Sequence, residues 1–582
     1  MRYLLLSILL ITLYSCDLSK YKLVKEYDLS TTYEKSQGKE TATYNEVIRF
    51  YAELDDAFSS VSFIEYGETD SGKPLHLVIF NPDAEFDPEY FPEEKQVLLI
   101  NNGIHPGESD GIDATMLLFR DLAQDSIPIP KNTIIATIPV YNIGGALNRN
   151  TSTRTNQNGP ASYGFRGNAR NYDLNRDFVK ADTKNTKAFY EIFQALDPDV
   201  FIDNHVSNGA DYQYTLTHLL TQHNKLNGEL GDYLHQEFMP ALEDSLATKN
   251  WPITPYVNVF NESPEVGFAQ FNDSPRYSTG YSTMFNSLGM MLETHMLKPY
   301  AQRVEGTYEF MKTTISIIDK NSTKILKARA NNKTQFTAAK KYYLNYEVDS
   351  SKTSTLQFKG YQDTLVKSEV TGLDRLQYNH NKPYTKEVTY YNYFQPKDTV
   401  SVPKAYVIPQ GWWQVVDLLK VNGIEMQSLE KDTILNVEAY KITDYKTRKN
   451  AYEGHYPHYD TKVKAYTEKV RFRAGDFVVS TQQEGIRYLL ETLEPIANDS
   501  FFNWNFFDTV LQQKEHFSPY VFEDKALQIL STDSILKRNF DSIKKADRNF
   551  RKIWYSQLDW IHKHSEHYEK SHLRYPIFRM LN

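Results

Sequence analysis

At 582 residues the chain is too long for one ordinary domain, and two or three are expected. Its net charge of −9 supplies no basic field, which argues against nucleic acid as a partner. Its single cysteine, Cys16, excludes internal disulfides and cysteine metal ligands.

In chain order, Arg2 is the only charge before an apolar run from Tyr3 to Tyr14. The run is too short to span a bilayer, which needs about 20 residues, and has the length of a signal-peptide core. It ends in Leu13-Tyr14-Ser15-Cys16, which resembles a bacterial lipobox. Residues 1–16 therefore read as a lipoprotein signal peptide and Cys16 as the lipidated residue. Acyl chains on Cys16 would anchor the protein to a membrane of the cell envelope, periplasmic or surface-exposed. Residues 17–40 are polar and Lys/Ser/Thr-rich and read as a tether.

From 41 to about 330, strand and helix patterns alternate. Val97-Leu98-Leu99-Ile100, Thr133–Ile138, Val200-Phe201-Ile202 and Leu288–Leu292 read as buried strands. Helices are expected near 110–124, 183–196, 225–246 and 300–320; in the first, Ile112, Met116, Phe119 and Ala123 recur at helical spacing. The alternation predicts an α/β sandwich, a central mixed sheet with helices on both faces. In such sheets, chemistry gathers at the carboxyl ends of strands. Residues 335–500 read as a β-rich accessory domain, with Ala405-Tyr406-Val407-Ile408 as one strand. Residues 501–582 read as a helical C-terminal region. The groups His455/His458 and His562/His564/His567 read as exposed polar faces.

His105-Pro106-Gly107-Glu108 follows the strand Val97–Ile100. Of fifteen histidines, His105 is the only one followed three residues later by an acid. An imidazole and a carboxylate at that spacing can grip one zinc ion. His205, just after another strand, is the candidate third ligand. Glu293 closes the apolar run Met290-Met291-Leu292, and a carboxylate there is costly to bury without a task, so it is the candidate general base. His295 is a weaker alternative, expected to face away from the metal. Arg166, Arg170 and Arg176 lie within eleven residues of a Gly/Asn-rich loop. Guanidinium matches carboxylate bidentately; Asn175-Arg176 could hold a substrate's free C-terminal carboxylate, and Arg166 could face a developing oxyanion.

With Ser71-Gly72-Lys73-Pro74-Leu75, His105-Pro106-Gly107-Glu108, Asp173-Leu174-Asn175-Arg176-Asp177, His205 and Glu293 in order, residues from about 60 to 320 resemble the zinc carboxypeptidase family typified by carboxypeptidase A. The resemblance implies a carboxypeptidase-like α/β/α sandwich and one Zn²⁺ per chain held by His105, Glu108 and His205. It implies Glu293 as general base to a zinc-activated water, Asn175 and Arg176 as the carboxylate clamp, and Arg166, nine residues before Asn175, on the scissile carbonyl. The family's Asn-Pro-Asp-Gly is here Asn142-Ile143-Gly144-Gly145, and its substrate-capping tyrosine falls to Tyr277 or Tyr281. The expected activity is hydrolysis of C-terminal residues from peptides with a free carboxylate. A related zinc amidohydrolase acting on cell-wall peptides or acylated amino acids, and a non-catalytic binding lipoprotein, stay open as alternatives.

Overall fold

The computed structural model describes residues 27–581. The expected signal peptide, Cys16 and the start of the tether lie outside the described residues. Residues 27–40, read as tether, instead pack against the body. Thr31 and Glu34 cap the helix Thr32–Lys35 reciprocally, Glu34 accepts from Arg120 at 2.7 Å, and the buried Tyr33 ring lies 6.0 Å from Tyr300. The polar composition conceals two buried apolar anchors, Leu29 and Tyr33.

The strands of the first half are β1 (Val61–Glu68), β2 (Pro74–Phe80), β3 (Gln96–Asn101), β4 (Thr133–Ile138), β5 (Val200–Ser207), β6 (Leu216–Leu220), β7 (Ile253–Pro255), the two-residue β8 (Phe268–Ala269) and β9 (Leu288–His295). All but β8 form an eight-stranded sheet in the order β1-β2-β4-β3-β5-β9-β6-β7. The run β4-β3-β5-β9 is parallel, and β2 and β6 flank it antiparallel, so the sheet is mixed. Every residue of β3, β4 and β5 is buried, as the apolar runs within them require of strands covered on both faces.

Helices cover both faces, and β5 shows how. Side chains alternate along a strand, so Asn204 faces one layer and Phe201, Asp203 and His205 the other. A Cβ on Gly111 would stand 2.4 Å from the Asn204 Cβ; glycine there lets the helix Asp110–Ala123 lie directly on β5. The helix Tyr300–Lys333 joins that layer, with Met311 Sδ 3.6 Å from Asn204 Nδ2. On the opposite face Phe201 meets Phe189 and Phe193 of the helix Lys184–Leu196. Ser278, opening the helix Ser278–Met284, donates to Asp203. The helix expected over 225–246 runs as Gly228–Tyr233, a wider turn Leu234–Phe238, and Met239–Thr248.

The C-terminal region is β-rich and then helical. Lys341–Val348 pairs with Phe394–Ser401, and Ser354–Lys367 with Asp374–Tyr391. A six-stranded sheet contains Ala405–Ile408, Thr433–Thr447 and His458–Phe472. Helices follow between Pro519 and Lys563. The last stretch departs from its helical reading: Phe578–Met580 returns as a strand beside Ala405–Ile408, because Tyr575, Ile577 and Phe578 bury their side chains. His458 and His562, read as exposed, are buried; His458 Nε2 pairs with Asp508 at 3.0 Å, and His562 packs on Phe517. The halves share one apolar core running from Leu29 to Ile577, and Tyr390 and Tyr391 pair with β8. Among the described residues no helix is long and apolar enough to cross a membrane.

Candidate active site

The loop after β3 turns at His105–Glu108, closed by the Glu108 N–H donating to the His105 carbonyl at 2.7 Å. The Glu108 carboxylate reaches β5. Its Oε2 accepts from the Val206 N–H at 3.0 Å and lies 3.0 Å from His205 Nδ1 and 3.3 Å from His105 Nδ1. One ligand atom from each of His105, Glu108 and His205 falls within 4.8 Å of the others, and this is the only such group among the described residues.

Both imidazoles are oriented from behind. His105 Nε2 pairs with Asp173 at 2.8 Å and His205 Nε2 with Asp203 at 2.9 Å. Carboxylates behind the rings fix their tilt and turn both Nδ1 atoms inward, the usual support of metal-binding histidines. His105 Nδ1 is buried without a hydrogen-bond partner, a state that calls for a ligand. Two imidazole nitrogens and one carboxylate, open on one side, suit a catalytic zinc ion. The residues present fit the metal.

The charges at this turn are strongly coupled. Against the effect of burial, Arg154 and His105 hold the Glu108 carboxyl well below its ordinary range. Also against burial, Asp203 and Glu108 hold His205 well above the ordinary imidazole value, and His105 and Arg166 keep Asp173 low. Glu293 moves the other way. Burial pushes it up to about 8, His205 pulls it down and Glu108 adds to the rise. A cation held by the trio would lower it again.

The sheet brings Glu293 to this place through register. In the parallel pairing of β5 with β9, His205 stands opposite Glu293, so both side chains share a face. His295 shares it too, since residues two apart in a strand point the same way; the expectation that it faces away was wrong. It is engaged elsewhere, 3.4 Å from Asp211 and with its ring 4.2 Å from that of Tyr212.

A cavity of about 600 Å³ opens in front of the trio, lined also by Glu293, Arg166, Asn175, Arg176 and Tyr277. Arg166 is bound to Asp173 at 2.9 Å and lies 3.6 Å from Glu108. Asn175 Oδ1 accepts from the Ser278 N–H at 3.1 Å, and the Arg176 guanidinium lies 4.5 Å from the centre of the Tyr277 ring. Arg170 takes no part; it donates to the Asp182 carbonyl and lies over Tyr172. Asp177 is structural, accepting from Lys180, Thr183 and Thr186. Tyr281 is not a capping residue: it is fully buried among Phe178, Tyr190 and Phe193, and its hydroxyl donates to Asn422 at 2.7 Å. Tyr277 stands at the extended N-cap of the helix Ser278–Met284, whereas Tyr281 lies within that helix and packs into the core.

Tyr256 and Arg154 are among the lining residues that escaped the sequence reading. Tyr256 follows the short β7 and lines the cavity beside Glu293, with burial and then the Glu293 charge raising its phenol. Arg154 donates to Glu108 Oε1 at 2.8 Å and has a buried Nη2 without a partner. It lies over the His105–Glu108 turn, where a Cβ on Gly107 would meet its Nε at 2.6 Å. The visible sign was Gly107 itself, a glycine between two ligand candidates.

Residues 47–223 match the family model described as zinc carboxypeptidase. The match spans His105, Glu108, Arg166, Asn175, Arg176 and His205 and ends before Glu293. The chain is similar to carboxypeptidase 2 of Trichophyton rubrum, 21% identical over 419 residues that cover 69% of this chain and 72% of the relative. It is 33% identical over 103 residues to carboxypeptidase 2 of Trichophyton tonsurans, covering 18% of this chain and 19% of that one. Among solved structures it is similar to a metallo-carboxypeptidase from Burkholderia cenocepacia, at 18% identity and TM-score 0.37, covering 48% of this chain and 70% of that chain. The matched segment and the metal-binding geometry found within it agree: this chain carries a zinc carboxypeptidase domain and is a peptide hydrolase.

Proposed function

We propose that the chain removes the C-terminal residue from peptides that end in a free carboxylate. The observation that carries this reading is the convergence on one cavity of the trio His105, Glu108 and His205 with Glu293 and Arg176. Asn175 and Arg176 bind the terminal carboxylate, and the Tyr277 ring backs the guanidinium. This sets the last peptide bond before the trio. Zinc bound by the trio supplies Lewis-acid chemistry, lowering the pKa of water and polarising a carbonyl. Glu293 takes the proton of the attacking water on its carboxylate and delivers it to the leaving amide nitrogen. Arg166 donates to the oxygen that gains negative charge as the bond is attacked.

The test is a peptide-library digest read by mass spectrometry, with zinc content measured alongside. Sequential loss of single C-terminal residues and about one zinc per chain are expected. Internal cleavage or inert peptides would reject the reading. Arg176→Ala should weaken free-carboxylate substrates about 10- to 100-fold, the range of a lost charge-assisted hydrogen bond, while C-terminally amidated peptides change little. Equal effects on both reject the clamp.

We further propose that Cys16 carries a lipid that tethers the mature chain to a membrane of the cell envelope, supported by the apolar run before it and the lipobox-like Leu13–Cys16. Cell fractionation decides this: Cys16→Ser should leave the membrane fraction, and an unchanged distribution refutes the anchor.

A further inference from the structure

Part of the wall behind the metal-binding turn comes from the far half of the chain. The strands Thr433–Thr447 and His458–Phe472 are joined by a turn that docks on the loop carrying Arg166 to Asp182. At its tip Glu453 Oε2 accepts the backbone N–H of Asp173 at 2.9 Å, from 280 residues away. Asp173 is the residue on which the site's geometry turns. Its Oδ1 receives His105 Nε2 at 2.8 Å and the Asn175 N–H at 3.0 Å, and its Oδ2 receives Arg166 Nε at 3.0 Å.

Asp173 is also the N-cap of the short turn Leu174–Arg176. The N–H of a cap residue has no partner within its own helix and is commonly taken by an acid three residues on. Arg176 occupies that position here, and Glu453 supplies the missing acceptor. The contact is built rather than incidental. Glu453 adopts φ +48°, and Gly454 follows at φ +80°, a region that non-glycine residues enter at a cost of about 1 kcal/mol or more. A Cβ on Gly454 would meet the Tyr172 hydroxyl at 2.8 Å. His455 Nε2 pairs with Asp182 at 2.8 Å. Nearby, Asp499 of the same half binds Arg276, the neighbour of Tyr277, at 2.6 Å.

We propose that Glu453 is a positioning residue of the active site, lent by the C-terminal region: it fixes Asp173 and, through Asp173, the His105 imidazole and the Arg166 guanidinium. This rests on the reading of His105 as a metal ligand. The experiment uses the full-length chain and measures zinc affinity by chelator competition, kcat and KM on one peptide, and Tm. Glu453→Ala should weaken zinc binding about 10- to 100-fold, the range for lost outer support of a metal-binding histidine, and should lower kcat more than KM. Glu453→Gln keeps an acceptor oxygen and should recover both. Glu453→Asp withdraws the acceptor by one methylene and should lower zinc affinity in a folded chain, so a failure of the alanine variant to fold leaves the question decided. Wild-type zinc affinity in Glu453→Ala or, where that variant does not fold, in Glu453→Asp overturns the proposal, as does a glutamine variant no better than alanine. If zinc is lost on His105→Ala yet indifferent to Glu453, this proposal alone falls; if the wild-type chain binds no zinc, the metal-site reading falls with it.

Discussion

Both halves of this chain bury charge, and they do so differently. In the six-stranded sheet of the C-terminal half, Arg579 pairs with Glu494 at 3.0 Å, and the Tyr406 hydroxyl donates to the same carboxylate at 2.6 Å. There the buried groups face one another rather than a cavity, although Glu494 Oε2 has no hydrogen-bond partner. In the first half, Asp173 and Asp203 hold two imidazoles from behind, and the inward nitrogens, with Glu108, Glu293 and Arg176, border a cavity. Glu494 and Glu293 are both carboxyls raised by burial. What separates structure from chemistry is therefore what the group faces, since a perturbed acid is found in both places.

The halves also depend on each other unequally with distance from their seam. Removing residues 335–582 should have the largest effect. Tyr281 would lose Asn422, Phe285 would lose the stacked Tyr488, and the carbonyl of Lys225 would lose Arg487. With a shared core cut through, the remaining fragment should show no cooperative melt by circular dichroism. A soluble fragment with a sharp transition would break the comparison and make the first half an independent unit.

Glu293→Gln comes next. It should retain zinc and lose turnover about 10²- to 10⁴-fold, the usual weight of a positioned acid–base group. Steady-state kinetics on metal-loaded protein check this, and near-normal turnover removes Glu293 as base. The matched change in the other half, Glu494→Gln, should act on Tm rather than on kcat.

A smaller effect concerns Asp113, which burial raises to about 6 and whose carboxylate receives the Tyr300 hydroxyl. An unfolded aspartate titrates near pH 3.9. Between those values the folded chain keeps a proton that the unfolded chain has released, so stability falls as pH rises from about 4 to about 6 and levels above, by at most about 3 kcal/mol. Asp113→Asn should lack that slope in urea unfolding across this range; identical slopes in the two proteins reject the assignment. The smallest effect belongs to the hairpin tip of the second half. Val370 is 94% exposed, and Val370→Ser should change the unfolding free energy by no more than about 0.5 kcal/mol. A larger loss would mean that this tip is covered in solution.

Much of the site was legible because it is written in short segments. His105 and Glu108 are three residues apart, Asn175 and Arg176 are adjacent, His205 falls just after an apolar run that reads as a strand, and Glu293 closes another. Strand identity is a local matter of period and side-chain type, and β3, β4, β5 and β9 appear where those runs lie. Other features left no local trace. Tyr277 and Tyr281 look alike in sequence, and only packing sends one to the cavity and the other beneath Tyr190. Arg154 sits in a polar loop without period, and residues 27–40 resemble a tether until Leu29 and Tyr33 are seen in the core.

By itself, then, the sequence determined which residues could do chemistry and which strands would carry them, because spacing along a backbone of known rise dictates what a few neighbours can reach. The tertiary structure alone decided that His205 stands opposite Glu293, that Asp173 and Asp203 stand behind the two imidazoles, and that Glu453 closes the loop from 280 residues away. Those meetings depend on strand order, register and the docking of distant turns, which are set by burying one continuous core rather than by any segment's own pattern.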